Sequence, residues 1–382
     1  MAIFKKLTGL FSSGGESVLG IDVGSSAIKI VQLKKKGGRA ILETYGELAL
    51  GPYAGHEVGR AASLPDVRLS EALIDVLRES HVTTKKCGIA IPLRSSLLSI
   101  MPMPDLPEDK LASMIPIEAR KYIPVPISEV MLDWSVIPEN SAGNSPPPGS
   151  FQGQSDTSVK PAGGTPFKTV EILIAAIHND AMNKYQYISK NAGLEVSFYE
   201  IEIWSTLRSS LDNEKEPVLI FDMGAAATKL YIIEQGIVRN SHTVNRGSQE
   251  ITMAISRSLN ISAKEAEVLK REKGLGSIQD SRAAAGLIAG TVQYIFAEAN
   301  RVISNYERKY NKAVGKVVLS GGGVNLKNFE KLAAEKTKLP VLRADPFSKV
   351  EAPAFFEDML KGAGPEFAVS LGVALRKLQE TQ

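Results

Sequence analysis

The feature that most constrains the fold is a short pattern that occurs twice, 200 residues apart. An apolar run leads into Asp22, Gly24 follows two positions later, and a lysine stands at position 29. Asp222, Gly224 and Lys229 repeat this spacing after a second apolar run. Each copy predicts a strand, a tight turn and a second, antiparallel strand. Two such hairpins in register predict two related halves that face one ligand.

Length and composition describe an ordinary globular protein. The 382 residues suffice for two domains or one bilobed unit, and 43% of them are hydrophobic. A net charge of +3, carried by dispersed lysines and arginines, argues against a nucleic-acid partner. Cys87 is the single cysteine, which excludes an internal disulfide and favours a cytoplasmic location. No apolar run approaches the roughly 20 residues that span a bilayer.

Hydrophobic periodicity and turn residues predict strands and helices around the two hairpins. Further strands are expected at 40–47, 87–92, 95–102, 170–177, 317–319 and near 341. Helices are expected at 69–80, 108–122, 180–192, 202–211, 248–260, 262–273, 283–310, 326–338 and 365–377. This order of elements predicts an α/β fold.

Two stretches stand apart from this pattern. Residues 3–11 carry apolar side chains at helical spacing beside Lys5 and Lys6. They fit either a small helix on a membrane surface or a terminal segment docked on its own domain. Residues 141–166 are rich in Ser, Gly, Pro and Gln, which predicts a disordered loop.

The first turn carries the groups needed to hold a phosphate. Gly24 lets the backbone approach an anion, and Ser25 and Ser26 add hydroxyl donors. Asp22, at the end of its strand, suits a Mg²⁺ ion that keeps most of its waters. Lys29 either neutralises phosphate charge or lies on a solvated face of the hairpin. One such turn alone is equally well explained as a structural β-turn, and the duplication favours the binding interpretation.

The second turn and a glycine-rich segment complete the set of candidates. The second turn offers Asp222, Gly224, Ala225 and Ala226, with Thr228 as its one hydroxyl. Ser320 is followed by three glycines, 321–323, between a predicted strand and a predicted helix, which places bare backbone beside a ligand or simply ends a buried strand. Neither a P-loop nor a dinucleotide-binding glycine pattern is present in the sequence.

Asp22-x-Gly24, Asp222-x-Gly224 and the glycines at 321–323 resemble the two phosphate motifs and the adenosine motif of the actin, sugar-kinase and heat-shock chaperone ATPase superfamily. The resemblance implies a bilobed actin-like ATPase fold that closes on ATP and Mg²⁺, with Asp22 and Asp222 holding the metal through water. The phosphate contacts that it implies are Asp22, Gly24, Ser25, Ser26, Lys29, Asp222, Gly224, Ala225, Ala226 and Thr228. The implied adenosine contacts are Glu267, Lys270, Gly321, Gly322, Gly323 and Asn325. Without the resemblance, Glu267 and Lys270 fit a solvated helix face.

The proline-rich region in the first half is similar to the subdomain inserted into the first lobe of the FtsA-like branch. The resemblance implies a first-lobe core at 17–85, 178–215 and 363–382, and an inserted subdomain at 86–177 that contains the loop at 141–166. It implies a second-lobe core at 216–244 and 315–362, and a second-lobe subdomain at 245–314.

Within that branch, the runs 20–29, 104–107, 118–124, 192–194 and 245–247 resemble the PilM family of type IV pilus assembly proteins. That family implies a cytoplasmic, ATP-binding scaffold at the inner-membrane face. Its expected partner is a PilN-like membrane protein, whose N-terminal peptide lies in a groove beside the inserted subdomain. Other pilus machinery, including assembly ATPases, is a further expected partner.

Two departures qualify what the superfamily implies. Alanines at 225–227 replace the second glycine and the hydroxyl that superfamily ATPases with rapid turnover carry in this turn. No general base is evident in the sequence. Slow or absent hydrolysis is therefore expected, and ATP would mainly set the conformation of the protein. The segment 367–378 should belong to the fold rather than form the terminal membrane helix of FtsA-like proteins. A polymerising FtsA-like protein and a sugar-kinase-like phosphotransferase remain the alternatives.

Overall fold

A computed structural model describes residues 16–58, 60–138, 168–274 and 282–380. The predicted segment at 3–11 and the predicted loop at 141–166 lie outside these residues. The strands are β1 (Ser17–Val23), β2 (Ala27–Lys36), β3 (Arg39–Ala49), β4 (Lys86–Ile91), β5 (Ser96–Pro104), β6 (Val130–Ile137), β7 (Thr169–His178), β8 (Glu195–Ile201), β9 (Val218–Met223), β10 (Thr228–Glu234), β11 (Ile237–Val244), β12 (Lys316–Ser320) and β13 (Val341–Arg343). The helices are α1 (Asp66–Glu79), α2 (Glu108–Glu118), α3 (Asn179–Asn191), α4 (Glu202–Ser210), α5 (Ser248–Leu259), α6 (Ala263–Lys273), α7 (Arg282–Tyr310), α8 (Phe329–Thr337) and α9 (Glu357–Glu380).

Two five-stranded sheets share one plan. The first has the order β3-β2-β1-β4-β8, and the second has the order β11-β10-β9-β12-β13. In each sheet the repeated hairpin is antiparallel, and the strand that ends in aspartate pairs on its other side with a parallel strand. The duplication predicted from the sequence is therefore confirmed in the topology. We call the two halves the first and the second lobe.

Helices cover both faces of the two sheets. In the first lobe, α1 and α3 pack on one face and α9 packs on the other. In the second lobe, α5 and α7 pack on one face around Phe221, Phe296 and Phe329, and α4 packs on the other. Because they are covered on both sides, β1 and β9 are buried along most of their length, as the apolar runs before Asp22 and Asp222 predict.

A third sheet, β5-β7-β6, is inserted into the first lobe, and α2 covers one of its faces. We expected the insertion to begin at 86, but β4 (Lys86–Ile91) belongs to the first sheet, between β1 and β8. All five residues of β4 from Cys87 onward are buried, which is the pattern of a central parallel strand. The three-stranded sheet begins only at Ser96.

The last helix differs from its predicted bounds. We expected it to begin at 365, but it begins at Glu357 and contains Pro365 in its interior. The residues before Pro365 are mostly exposed and show little apolar periodicity, so the sequence pattern marks the proline as the first residue of the helix. The segment 367–378 packs within the fold, as expected. Among the described residues, no helix has both the length and the apolar character needed to cross a membrane.

Candidate functional site

The two hairpins place the repeated residues in the same register. Asp22 in β1 lies opposite Lys29 in β2, and Asp222 in β9 lies opposite Lys229 in β10. Directly opposed residues of an antiparallel pair have neighbouring side chains on the same face of the sheet. The spacing in the sequence therefore corresponds to one repeated arrangement of opposite charges beside a turn.

The two turns are closed by the same backbone hydrogen bond. The amide of Gly24 donates to the carbonyl of Ala27 at 2.9 Å, and the amide of Gly224 donates to the carbonyl of Ala227 at 2.9 Å. A Cβ at Gly24 would lie 3.0 Å from the Ala27 oxygen, and one at Gly224 would lie 3.2 Å from the Ala227 oxygen. A side chain at either glycine would therefore press on the carbonyl that closes the turn, which would have to shift by a few tenths of an ångström.

Both turns line a cavity of about 200 Å³ between the lobes. The predicted phosphate contacts that line it are Asp22, Gly24, Ser25, Ser26, Lys29, Asp222, Gly224, Ala225 and Ala226. A second cavity of about 280 Å³ adjoins it, and of the predicted adenosine contacts it is lined by Glu267, Lys270, Gly322, Gly323 and Asn325. Gly321 lines the first cavity rather than the second. The structure thus brings the two predicted sets together in adjoining spaces.

Thr228 is the predicted contact that the structure does not bring to either cavity. Its side chain is fully buried, and its hydroxyl donates to the carbonyl of Arg246 at 2.8 Å. Side chains alternate along a strand, so Thr228 points away from the cavity that the next residue, Lys229, lines. We therefore place Thr228 in the support of the turn.

The carboxylate of Asp22 has no hydrogen bond or ion pair with any residue that the structure describes. Burial raises the pKa of Asp22 to about 6, the positive charge of Lys29 opposes this, and the negative charges of Glu202 and Asp222 add to it. An acidic side chain without a partner on a cavity wall fits a hydrated Mg²⁺ ion, which needs one or two carboxylates.

Lys29 lies on the cavity wall rather than on a solvated face. Its ammonium is 3.3 Å from the Glu47 carboxylate, its side chain is 14% exposed, and it lines both cavities. Burial disfavours the ammonium, but Glu47 and Asp22 outweigh this and raise the pKa of Lys29. The alternative of a solvated face is therefore wrong, and a positive charge lies where the two cavities meet.

In the second lobe the equivalent lysine is engaged differently. The Lys229 ammonium lies 2.6 Å from Glu202 Oε2 and 3.2 Å from Asp222 Oδ2. Although burial alone would lower it, these two carboxylates raise the pKa of Lys229 well above its usual value. The other oxygen of Glu202 accepts the amide of Leu93 at 2.7 Å. Asp222 therefore already has a cationic partner, and the fit to Mg²⁺ that Asp22 shows is not repeated.

Sequence reasoning missed Glu202 as a member of the site. Glu202 is the first residue of α4, and its local sequence carries no motif. The signal that was available is Lys229, because it repeats Lys29 in the duplicated pattern and a buried lysine requires an acidic partner. Glu366 in α9 lines both cavities and was also missed, because its local sequence carries no motif either.

The pair on α6 is buried. The Lys270 ammonium lies 2.6 Å from Glu267 Oε2, and the hydroxyl of Thr252 donates to the same oxygen at 2.6 Å. Arg271 contacts the other oxygen of Glu267 at 2.9 Å. Only 7% of Glu267 and 5% of Lys270 are exposed, so the alternative of a solvated helix face is wrong. The helix begins with a capping box, in which the Ser262 hydroxyl accepts the Glu265 amide and the Glu265 carboxylate accepts the Ser262 amide.

The glycine-rich segment packs against the second turn. Gly321 has a φ of +83°, and a Cβ there would lie 2.4 Å from Asp222 Oδ1. Its amide donates to the carbonyl of Pro365 at 2.8 Å, and Asn325 Nδ2 donates to Glu366 Oε1 at 2.5 Å. The first turns of α9 therefore contact the second lobe, while its remainder packs on β1 of the first lobe.

Hydrogen bonds also connect the first turn to the second turn. The amide of Ala62 donates to the carbonyl of Ser25 at 2.9 Å, and the neighbouring amide of Ala61 donates to the side chain of Gln249. The amide of Gln249 in turn donates to the carbonyl of Ala225 at 3.0 Å. The segment between β3 and α1 thus links the first turn to the second.

Comparison with known proteins gives a family and a fold. The family model described as type IV pilus assembly protein PilM matches residues 20–146 and 157–378. Among solved structures, a "PilM-PilN type IV pilus biogenesis complex" is similar with a TM-score of 0.75 at 23% identity, covering 94% of this chain and 98% of that chain.

More distant structures share the fold. The ethanolamine utilization protein EutJ of Carboxydothermus hydrogenoformans has a TM-score of 0.52 at 13% identity, covering 95% of this chain and 90% of that chain. MreB5 of Spiroplasma citri, solved with AMPPNP, has a TM-score of 0.51 at 11% identity, covering 97% and 98%. These similarities confirm the predicted α/β actin-like ATPase fold.

Proposed function

The chain belongs to the family of type IV pilus assembly protein PilM, and from this premise we propose that it binds ATP between its two lobes as an actin-like scaffold of pilus assembly. The observation that carries the proposal is the pair of equivalent hairpins that line one cavity. Their turns present backbone amides, the Ser25 and Ser26 hydroxyls and the Lys29 ammonium to a polyphosphate. The nucleotide bound by MreB5, which has the same fold, supports this assignment.

The carboxylates that line the cavity favour a single protein ligand for the metal-bound water. Asp22 is an acidic group without a partner among the residues that the structure describes, and Mg²⁺ bound to nucleotide needs few protein ligands. Asp222 is paired with Lys229 at 3.2 Å, which leaves it a weaker candidate than we expected. When bound, Mg²⁺ would neutralise phosphate charge, and the part of this chain is to hold one of its waters through Asp22.

The geometry also supports slow hydrolysis. Glu202 lines the cavity beside Asp222 and Lys229, and both of its oxygens are engaged, one by Lys229 and the other by the Leu93 amide. A general base needs a free oxygen within hydrogen-bonding reach of the attacking water. We therefore propose that ATP acts here mainly by holding the lobes together.

The proposed partner is the N-terminal peptide of a PilN-like protein, bound beside the inserted sheet, which would bring the chain to the inner-membrane face. The PilM-PilN complex supports the identity of the partner. Two exposed apolar side chains one helical turn apart on α2, Met114 and Ile117, support the place. Of these, Ile117 is 64% exposed, which suits an anchor for an apolar peptide.

A buried ion pair supports coupling between the nucleotide and the partner. Arg239 in β11 contacts Glu171 in β7 at 2.8 Å and Glu234 at 3.0 Å, and its side chain is 1% exposed. This pair connects the inserted sheet to the second lobe. Because β11 neighbours β10, which carries Lys229, a movement of the second lobe toward a nucleotide would also move the inserted sheet.

Replacing Ile117 with aspartate should weaken binding of a synthetic N-terminal peptide of the organism's PilN-like protein by about tenfold or more, since a charge would face the apolar peptide. Leu342→Asp is the matched control, because Leu342 is 51% exposed on the second lobe. Isothermal titration calorimetry measures both. Equal affinities for the two variants would exclude this surface.

Binding of Mg-ATP should weaken as the pH falls through about 6, the pKa of Asp22, because a protonated carboxyl cannot hold a metal-bound water. Calorimetric titrations between about pH 8 and about pH 5 would measure this, and Asp22→Asn would report the pH dependence that belongs to the nucleotide itself. Profiles of the same slope in both proteins would contradict the assignment of Asp22.

A further inference from the structure

The two hairpins have the same backbone but use their lysines differently. In the first, Lys29 contacts Glu47, and the carboxylate of Asp22 has no partner in the described part of the chain. In the second, Lys229 points between two carboxylates, 3.2 Å from Asp222 and 2.6 Å from Glu202. The difference lies in the carboxylate that each lysine contacts, because Lys29 pairs with Glu47 of β3, whereas Lys229 pairs with Glu202 of α4.

In the second arrangement two carboxylates, the kind of ligand that a divalent cation takes, converge on one ammonium. Asp222 and Glu202 are 5% and 4% exposed, and both are within ion-pair distance of one point. Two buried carboxylates that converge in this way repel each other unless a cation lies between them. Oxygen ligands of this kind suit Mg²⁺ or Mn²⁺.

We propose that Lys229 is a built-in cation that occupies a potential metal position at the second turn. It keeps Asp222 and Glu202 from binding a divalent ion. Metal that accompanies the nucleotide is therefore held at Asp22 rather than at the second turn. The nucleotide part of this inference rests on the proposed function, whereas the metal position is defined by the residues of this chain alone.

Lys229→Met tests the inference without nucleotide, because methionine keeps most of the hydrocarbon chain and removes the ammonium. In the presence of EDTA the variant should unfold at a lower temperature than the original protein, since two buried carboxylates then lack a counter-charge. Added Mn²⁺ should raise its melting temperature. It should also bind Mn²⁺ at least about tenfold more tightly than the original protein, as measured by electron paramagnetic resonance.

Two further variants make the result specific. Lys229→Met combined with Asp222→Asn should lose the gain in Mn²⁺ binding, and combined with Asp22→Asn should keep it. If Lys229→Met is insoluble, Lys229→Gln gives the same comparison, because its amide can hydrogen-bond to the carboxylates. Mn²⁺ binding that does not exceed that of the original protein would overturn the proposal and leave Lys229 as a structural ion pair.

The test of Lys229 and the test of the proposed nucleotide site can succeed or fail independently. Gain of Mn²⁺ binding in Lys229→Met, with no ATP binding by the original protein, would support the built-in cation and refute the nucleotide site. ATP binding by the original protein without any gain of Mn²⁺ binding in the variant would do the reverse.

Discussion

Replacing Gly20 with alanine should prevent the first lobe from forming its native packing. Gly20 lies in the middle of β1, directly beneath α9, and an added Cβ would lie 1.9 Å from the carbonyl oxygen of Ser370 and 2.5 Å from the amide of Ala374. Both atoms belong to helix backbone, so the whole helix would have to move. We expect a loss of about 3 kcal/mol or more in the free energy of unfolding, measured by chemical denaturation.

Gly362→Ala on the same helix is the matched control. An added Cβ there meets nothing within 4 Å, so the substitution should stabilise the protein by up to about 1 kcal/mol through helix propensity. Equal stability of the Gly20 and Gly362 variants would show that α9 does not pack on β1 as described. The contact matters for function because α9 also carries Glu366 to the cavity between the lobes.

Sequence patterns predicted what is determined locally. An apolar run ending in aspartate and a following glycine specify a buried strand and a close turn, and both copies form as expected at Asp22 and Asp222. Ser262 and Glu265 likewise specify the start of α6. Each of these features depends on residues a few positions apart, which is why a single sequence was enough.

What the sequence alone did not predict depends on contacts between distant segments. Glu202 reaches Lys229 only because α4 packs against the second sheet. The strand β8 (Glu195–Ile201) was not expected, since its burial alternates weakly and its pairing with β4 is set by the sheet as a whole. The prediction that Thr228 contacts phosphate could have been avoided, because side chains alternate along a strand and Thr228 therefore lies on the other face of β10 from Lys229.

Replacing Asp22 with asparagine should have opposite effects on the free and the bound protein. Burial raises the pKa of Asp22 from 3.8 to about 6, so folding favours the protonated form. The stability that this contributes is present below about pH 3.8 and is lost as the pH rises through about 6. Near pH 8 the variant should therefore be more stable than the original by about 2 kcal/mol, less than the full shift would give because the carboxylate faces a cavity.

With Mg-ATP the order should reverse. Removing the anionic partner of a metal-bound water should weaken binding by about 2 kcal/mol, or roughly 30-fold. Ligand that binds only the folded state raises its melting temperature, so the original protein should gain more from Mg-ATP than the variant. Asp212→Ala, at a side chain that is 89% exposed, is the control and should match the original protein in both states.

The measurement that tests the nucleotide site most directly is the melting temperature of the original protein and of Asp22→Asn near pH 8, each with and without Mg-ATP. The two hairpins and the carboxylate of Asp22, unpaired among the described residues, predict that the order of the melting temperatures reverses. The variant should melt at the higher temperature alone, and the original protein should melt at the higher temperature with Mg-ATP. Calorimetry on the same samples gives the affinities. Equal affinity of the two proteins for Mg-ATP, or no binding to either, would contradict the assignment of this cavity as the nucleotide site.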